Sequence, residues 1–151
     1  MRVGVIGSRD YPELGDVVNA ISALEPGTVI VSGGARGVDR TAEVAAQERG
    51  LHVVSFRPHE DSKRGLFFIV EYHDGVEDHM HSRIYSKFAT AAFARNALIV
   101  NSVDHLIAFQ YNGSRGTQDS IDRAVERGIT TDVTMLGDAP EEPEPKLPPP
   151  P

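Results

Sequence analysis

The stretch that most constrains this chain runs Val29-Ile30-Val31-Ser32-Gly33-Gly34-Ala35-Arg36-Gly37-Val38-Asp39. A β-branched apolar run enters a glycine-rich turn, and Val38, Ala42, Ala45 and Ala46 then recur at helical spacing. Strand, glycine turn and helix N-terminus together make an anion site. The first N–H groups of a helix have no partner within it, and its dipole favours negative charge at that end. Glycines let the backbone approach a ligand that a Cβ would hold off. Arg36 adds a planar fork of donors suited to phosphate or carboxylate. Gly33, Gly34, Ala35, Arg36 and Gly37 are therefore expected to cradle a phosphate. Asp39, in the first helical turn, either caps that turn or accepts from a ribose hydroxyl.

The same alternation runs along the chain. Arg2–Gly7 predicts a strand closing in Gly7-Ser8-Arg9, and Leu14, Val17, Val18, Ile21 and Leu24 predict a helix stopped by Pro26-Gly27. Thr28–Ser32 is the second strand. Its helix ends at Gly50, and Leu51–Phe56 is the third strand. An alanine-rich helix spans Phe88 to Asn101 and His105–Phe109 follows as a strand. Asn112–Gly116 is a second glycine loop opening a helix over Thr117–Arg127, with a last strand at Val133–Leu136. Alternating strands and helices predict a Rossmann-like, three-layer α/β/α domain around a mostly parallel sheet, spanning residues 1–137. The acidic, proline-rich stretch 138–151 is expected to be a disordered tail.

Composition narrows the function. The 151 residues carry a formal net charge of −7, which disfavours broad nucleic-acid binding because that needs a positive surface. With no cysteine, disulfides, thiolate catalysis and Cys-based zinc sites are excluded. No signal peptide or membrane-spanning run is recognisable, so a cytoplasmic protein without a membrane partner is expected. The loop spacing Gly-Gly-x-x-Gly is neither the dinucleotide fingerprint nor a Walker loop, which supports neither a dehydrogenase nor a P-loop NTPase.

Ligands of an open parallel sheet bind at the carboxyl ends of its strands. Ser8-Arg9, the first glycine loop and Asn112-Gly113-Ser114-Arg115-Gly116-Thr117 all converge on that rim. Residues 57–85 are harder to place. They hold Glu60, Asp61, Glu71, Asp74, Glu77 and Asp78 with His59, His73, His79 and His81. On a helix His79 and His81 would point apart, with only His73 and Glu77 sharing a face, so no metal site is expected. The segment is expected as a lid or interface insertion, its apolar run Gly65–Val70 packing on the domain or a partner subunit.

Five motifs occur in order: Val5-Ile6-Gly7-Ser8-Arg9, Ser32–Asp39, Arg95-Asn96, Asp104–Phe109 and Ser114-x-Gly116-Thr117. The set resembles the SLOG superfamily, in its YspA-like, YpsA-related branch. Relatives include the Rossmann-like domain of DprA and the Lonely Guy phosphoribohydrolases. The resemblance implies a domain that binds nucleotides or nucleotide-derived ligands, in a superfamily with proposed sensors of phage conflict or nucleotide signalling. It also implies that Gly116 and Thr117 hold a phosphate, and that Arg95 occupies a position catalytic in the Lonely Guy enzymes. Those enzymes carry a glutamate three residues after the threonine, where this chain has Ser120. That departure turns Arg95 toward a ligand clamp.

The expected site is therefore Gly7, Ser8, Arg9, Gly33, Gly34, Ala35, Arg36, Gly37, Asp39, Arg95, Asn96, Ser114, Gly116 and Thr117. No cofactor is required beyond the bound nucleotide-like ligand, and a homo-oligomer is expected. Two functions stand open: a binding module or sensor, and an N-glycosidic hydrolase or transferase for which Arg95 is the best catalytic candidate.

Overall fold

A computed structural model describes residues 1–141. Among them, seven strands form one sheet in the order β5-β4-β3-β2-β1-β6-β7. The elements run β1 (Arg2–Gly7), α1 (Leu14–Ser22), β2 (Val29–Ser32), α2 (Val38–Glu48), β3 (Val53–Asp61), β4 (Leu66–His73), β5 (Val76–Met80), α3 (Phe88–Asn101), β6 (His105–Tyr111), α4 (Arg115–Glu126) and β7 (Thr130–Leu136). Strands β3, β2, β1, β6 and β7 are parallel, and β4 and β5 add antiparallel at one edge. The expected three-layer α/β/α architecture is the observed one.

Period-two alternation sorts the core into two layers. Val3 and Val5 of β1 pack with Ile30, Val53 and Phe109 beneath α1 and α2, through Val17, Ile21, Val38 and Ala42. Ile6, Val31, Val54, Leu106 and Ala108 pack beneath α3 and α4, through Ile99, Val100, Ile121 and Ala124. Apolar residues on both faces are what a parallel sheet covered on both sides requires. Helices α2 and α4 end alike. Gly50 and Gly128 take φ of +74° and +72°, and Leu51 and Ile129 donate back to Ala46 and Ala124 at 2.9 and 3.0 Å. This is the Schellman stop that a glycine allows.

Residues 57–85 are built into the sheet rather than hung beside it. Ser55 of β3 lies opposite Ser32, the last residue of β2. β3 then runs on to Asp61, paired throughout with β4 from Leu66 upward. Six further residues at about 3.3 Å each carry this hairpin roughly 20 Å past the rim. The segment alternates with period two, which is why helical geometry fails for it. His79 and His81 therefore share a face, their ring centroids 4.8 Å apart. The tail expectation falls mostly on residues 142–151, outside the described residues.

Candidate functional site

β1 and β6 lie side by side within the parallel part of the sheet, Gly7 opposite Phe109. α2 starts after β2, on one side of β1, and α4 after β6, on the other, so both helix N-termini face the rim. Between them lies a pocket of about 540 Å3. Of the expected residues, Gly7, Ser8, Arg9, Ala35, Asp39, Arg95, Asn96, Ser114, Gly116 and Thr117 line it.

The α4 side is a cradle of hydroxyls and free amides. Ser8 Oγ lies 2.6 Å from Ser114 Oγ, and Ser114 Oγ donates to Thr117 Oγ1 at 2.9 Å. Ser8 is fixed from behind: its N–H donates to the Phe109 carbonyl at 3.0 Å, and its Oγ accepts the Tyr111 N–H at 2.9 Å. No side chain caps the helix. Its first main-chain bond is Gln118 N–H to the Ser114 carbonyl at 3.0 Å. The N–H groups of Arg115, Gly116 and Thr117 precede that bond and are the orphan donors of the first turn. A Cβ built on Gly116 would meet nothing within 4 Å.

The α2 side is already filled. Asp39, buried, accepts the N–H groups of Gly7 at 3.2 Å and Ala35 at 3.3 Å. Burial raises its pKa to about 6, against the pull of Arg95 and of those N–H donors. Arg95 reaches in from α3. Its Nη1 donates to the Gly33 carbonyl at 2.8 Å and its Nε to Asn96 Oδ1 at 3.0 Å. Burial pushes the guanidinium pKa down, and Asp39 offsets part of that. Asn96 donates to the Gly116 carbonyl at 3.3 Å and to Asp119 Oδ2 at 3.2 Å, tying α3 to the start of α4.

The first-loop glycines serve the protein's own packing. A Cβ on Gly33 would sit 2.8 Å from both Arg95 Nη1 and Asp39 Oδ2. One on Gly34 (φ +69°) would strike Arg57, whose guanidinium pairs with buried Glu43 at 3.4 Å and lies over the Tyr72 ring. One on Gly37 (φ +84°) would collide with the Arg9 carbonyl. Gly33, Gly34 and Gly37 are not part of the pocket lining, and neither is Arg36, which is exposed. Asp119 is held by Asn96 and by Arg123 at 2.8 Å, outside the lining, while Ser120 faces the pocket. Sequence alone missed the apolar wall of Phe88, Ala89, Ala92 and Phe93 on α3. Its signal was weak, because alanine-rich helices are ordinarily core. The apolar wall faces a polar cradle, a division suited to a ligand with a flat apolar part and an anionic part.

Comparison with known proteins supports the resemblance drawn from the motifs. Residues 1–62 match the model of the YAcAr family, described as the YspA, cpYpsA-related SLOG family. The chain is similar to the X-ray structure of the structural-genomics target TM1055, at 18% identity and a TM-score of 0.58 over 86% of this chain and 71% of that one. It is also similar to DNA processing protein A (DprA) from Streptococcus pneumoniae, at 21% identity and a TM-score of 0.52 over 86% of this chain. The match spans 57% of DprA. At these identities the likeness shows the fold. No curated protein matches the sequence. No helix among the described residues is long and apolar enough to cross a membrane.

Proposed function

We propose that this chain, SLOG-like in its first 62 residues and in its fold, binds a phosphorylated nucleoside or nucleotide-derived ligand in the rim pocket, as a sensor or binding module. The uncapped start of α4 carries the proposal. Gly116 and Thr117, whose N–H groups have no partner within the helix, and the hydroxyls of Ser114 and Thr117 line an open pocket there. A helix end of this kind contributes about 0.3–1 kcal/mol to holding an anion, and up to about 2 when partly buried. Each charged hydrogen bond adds about 1.5–3 kcal/mol. Together these suffice for a phosphate without a metal. The Phe88–Phe93 wall takes the base, and the ribose lies toward Asp39 and Arg95.

One observation favours a second reading, cleavage or transfer at the N-glycosidic bond. A buried carboxyl with a pKa near 6 beside an arginine, in a pocket, suits general acid–base work. Asp39 would then supply the acid that position 120 lacks, with Arg95 steadying the phosphate or the leaving group.

Native mass spectrometry of the purified protein, then denaturing analysis of what it releases, tests the binding. A nucleotide-like mass, or thermal stabilisation by nucleoside monophosphates or ADP-ribose, supports it. An empty protein that no member of such a panel stabilises overturns it. Release of free base from a nucleoside monophosphate, abolished in Arg95→Ala and Asp39→Asn, would decide for the enzyme.

A further inference from the structure

The antiparallel edge brings together side chains that the rim pocket does not use. Glu71 and His73 are two apart on β4 and so share a face. Across from them, the register shifts between Glu71 and Tyr72: Glu77 lies opposite Tyr72 and His79 opposite Glu71, leaving Asp78 as the extra residue of a bulge. Bulges re-aim side chains, and here Asp78 Oδ2 comes within 3.6 Å of His73 Nε2. The same nitrogen lies 2.6 Å from Glu71 Oε2. His81 Nε2 reaches the other Glu71 oxygen at 3.3 Å, its ring set edge-on against Phe56.

We infer that Glu71, His73 and Asp78 form a binding site for a first-row divalent cation of the zinc type, with His81 orienting Glu71. The three ligand atoms all lie within 4.8 Å of one another. A cation bound at about 2.0–2.2 Å to each would space them about 3.3 Å apart. His73 and Asp78 are half-exposed and free to close that difference by side-chain rotation. His73 Nε2 faces two carboxylates at once, Glu71 Oε2 at 2.6 Å and Asp78 Oδ2 at 3.6 Å. A dication between them serves all three ligands. Coordination through Nε2 requires that nitrogen to be unprotonated, so the ring would bind as its neutral Nδ1–H tautomer. Contacts to His73 and His81 hold both Glu71 oxygens in place. An imidazole with two carboxylates suits zinc, cobalt or manganese. Magnesium and calcium prefer oxygen-only sets. The His81 hydrogen bond to Glu71 is the outer support that such ligands commonly have. The remaining coordination positions face water.

The test is titration of the full chain, stripped by chelator, with Co2+ followed by its visible absorption and with Zn2+ followed by calorimetry. Saturation at a single ion per chain is expected, undisturbed by excess Mg2+. Asp78→Asn, and separately the double variant Glu71→Gln/His73→Ala, should weaken binding about 10-fold or more. His52→Ala, which alters the separate His52–Asp74 pair, should bind as the parent does. Circular dichroism checks folding, and Asp78→Asn, an exposed change, decides if the double variant unfolds. No binding by the parent chain, equal binding by Asp78→Asn, loss in His52→Ala, or displacement by Mg2+ would each overturn the assignment.

Discussion

At the second residue of α2 stands Asp39, and at the second residue of α4 stands Gly116. Both helices follow a central parallel strand through a glycine loop, and both point their N-termini at the same pocket. At α2 the chain supplies its own anion: the Asp39 carboxylate accepts two main-chain N–H groups, with Arg95 reaching in beside it. At α4 the corresponding space is open, lined by Ser8, Ser114, Gly116 and Thr117. Glycine spacing thus announces a helix end able to hold negative charge. The side chain one position further along decides whether that charge comes from the protein or from a ligand.

The largest expected effect tests whether the first loop's glycines serve the fold. Gly37→Ala forces a side chain into a left-handed conformation against the Arg9 carbonyl. It should cost about 2–4 kcal/mol in urea unfolding, from conformational strain plus overpacking. A loss below about 1 kcal/mol would return Gly37 to the role of a ligand-facing residue.

Asp39 gives the next effect, in pH. Its folded pKa of about 6 lies above the ordinary value of 3.8. The folded state therefore holds the proton more tightly, and stability falls as pH rises from about 4 to about 6, by roughly 2–3 kcal/mol from this group. In Asp39→Asn that decline should flatten. An unchanged profile would mean that Asp39 ionises freely and is not held in a closed cradle.

The sharpest test of the comparison is Gly116→Asp, which gives α4 its own carboxylate. It should fold and lose the affinity for a nucleoside monophosphate. Thr117→Ala, lacking a single hydroxyl, should weaken that affinity about 10- to 100-fold by calorimetry. The smallest effect is Gly116→Ala. With open space around the new Cβ, thermal unfolding should show stability kept or raised by up to about 1 kcal/mol, while ligand affinity drops.

Much of this was legible from residues. Strand–helix alternation gave the layers, because apolar positions at periods of two and 3.6 have no other compact arrangement. Gly50 and Gly128 marked helix ends since a Schellman stop needs positive φ. What stayed hidden was long-range. Nothing near Gly33 in sequence says that its missing Cβ is the room taken by Arg95, 62 positions away. The hydroxyls of Ser8, Ser114 and Thr117 were each visible, but only β1–β6 pairing makes them one cluster. In 57–85 the obstacle was the period. Sparse β-branching and frequent charge mask the hairpin that carries His73 on β4 and His79 on β5.

The contact between Ser8 and Ser114 joins positions 106 residues apart, and the cradle takes shape only once β6 and α4 have docked on β1. During synthesis, a growing chain can close the β3–β4–β5 meander from neighbouring residues. The cluster of Ser8, Ser114 and Thr117 hydroxyls is incomplete until Thr117 is available. The hydroxyl cluster is therefore a report on completion: premature termination before α4, or any lesion that parts β1 from β6, leaves Ser8 without Ser114 and Thr117 however well the remaining strands are paired.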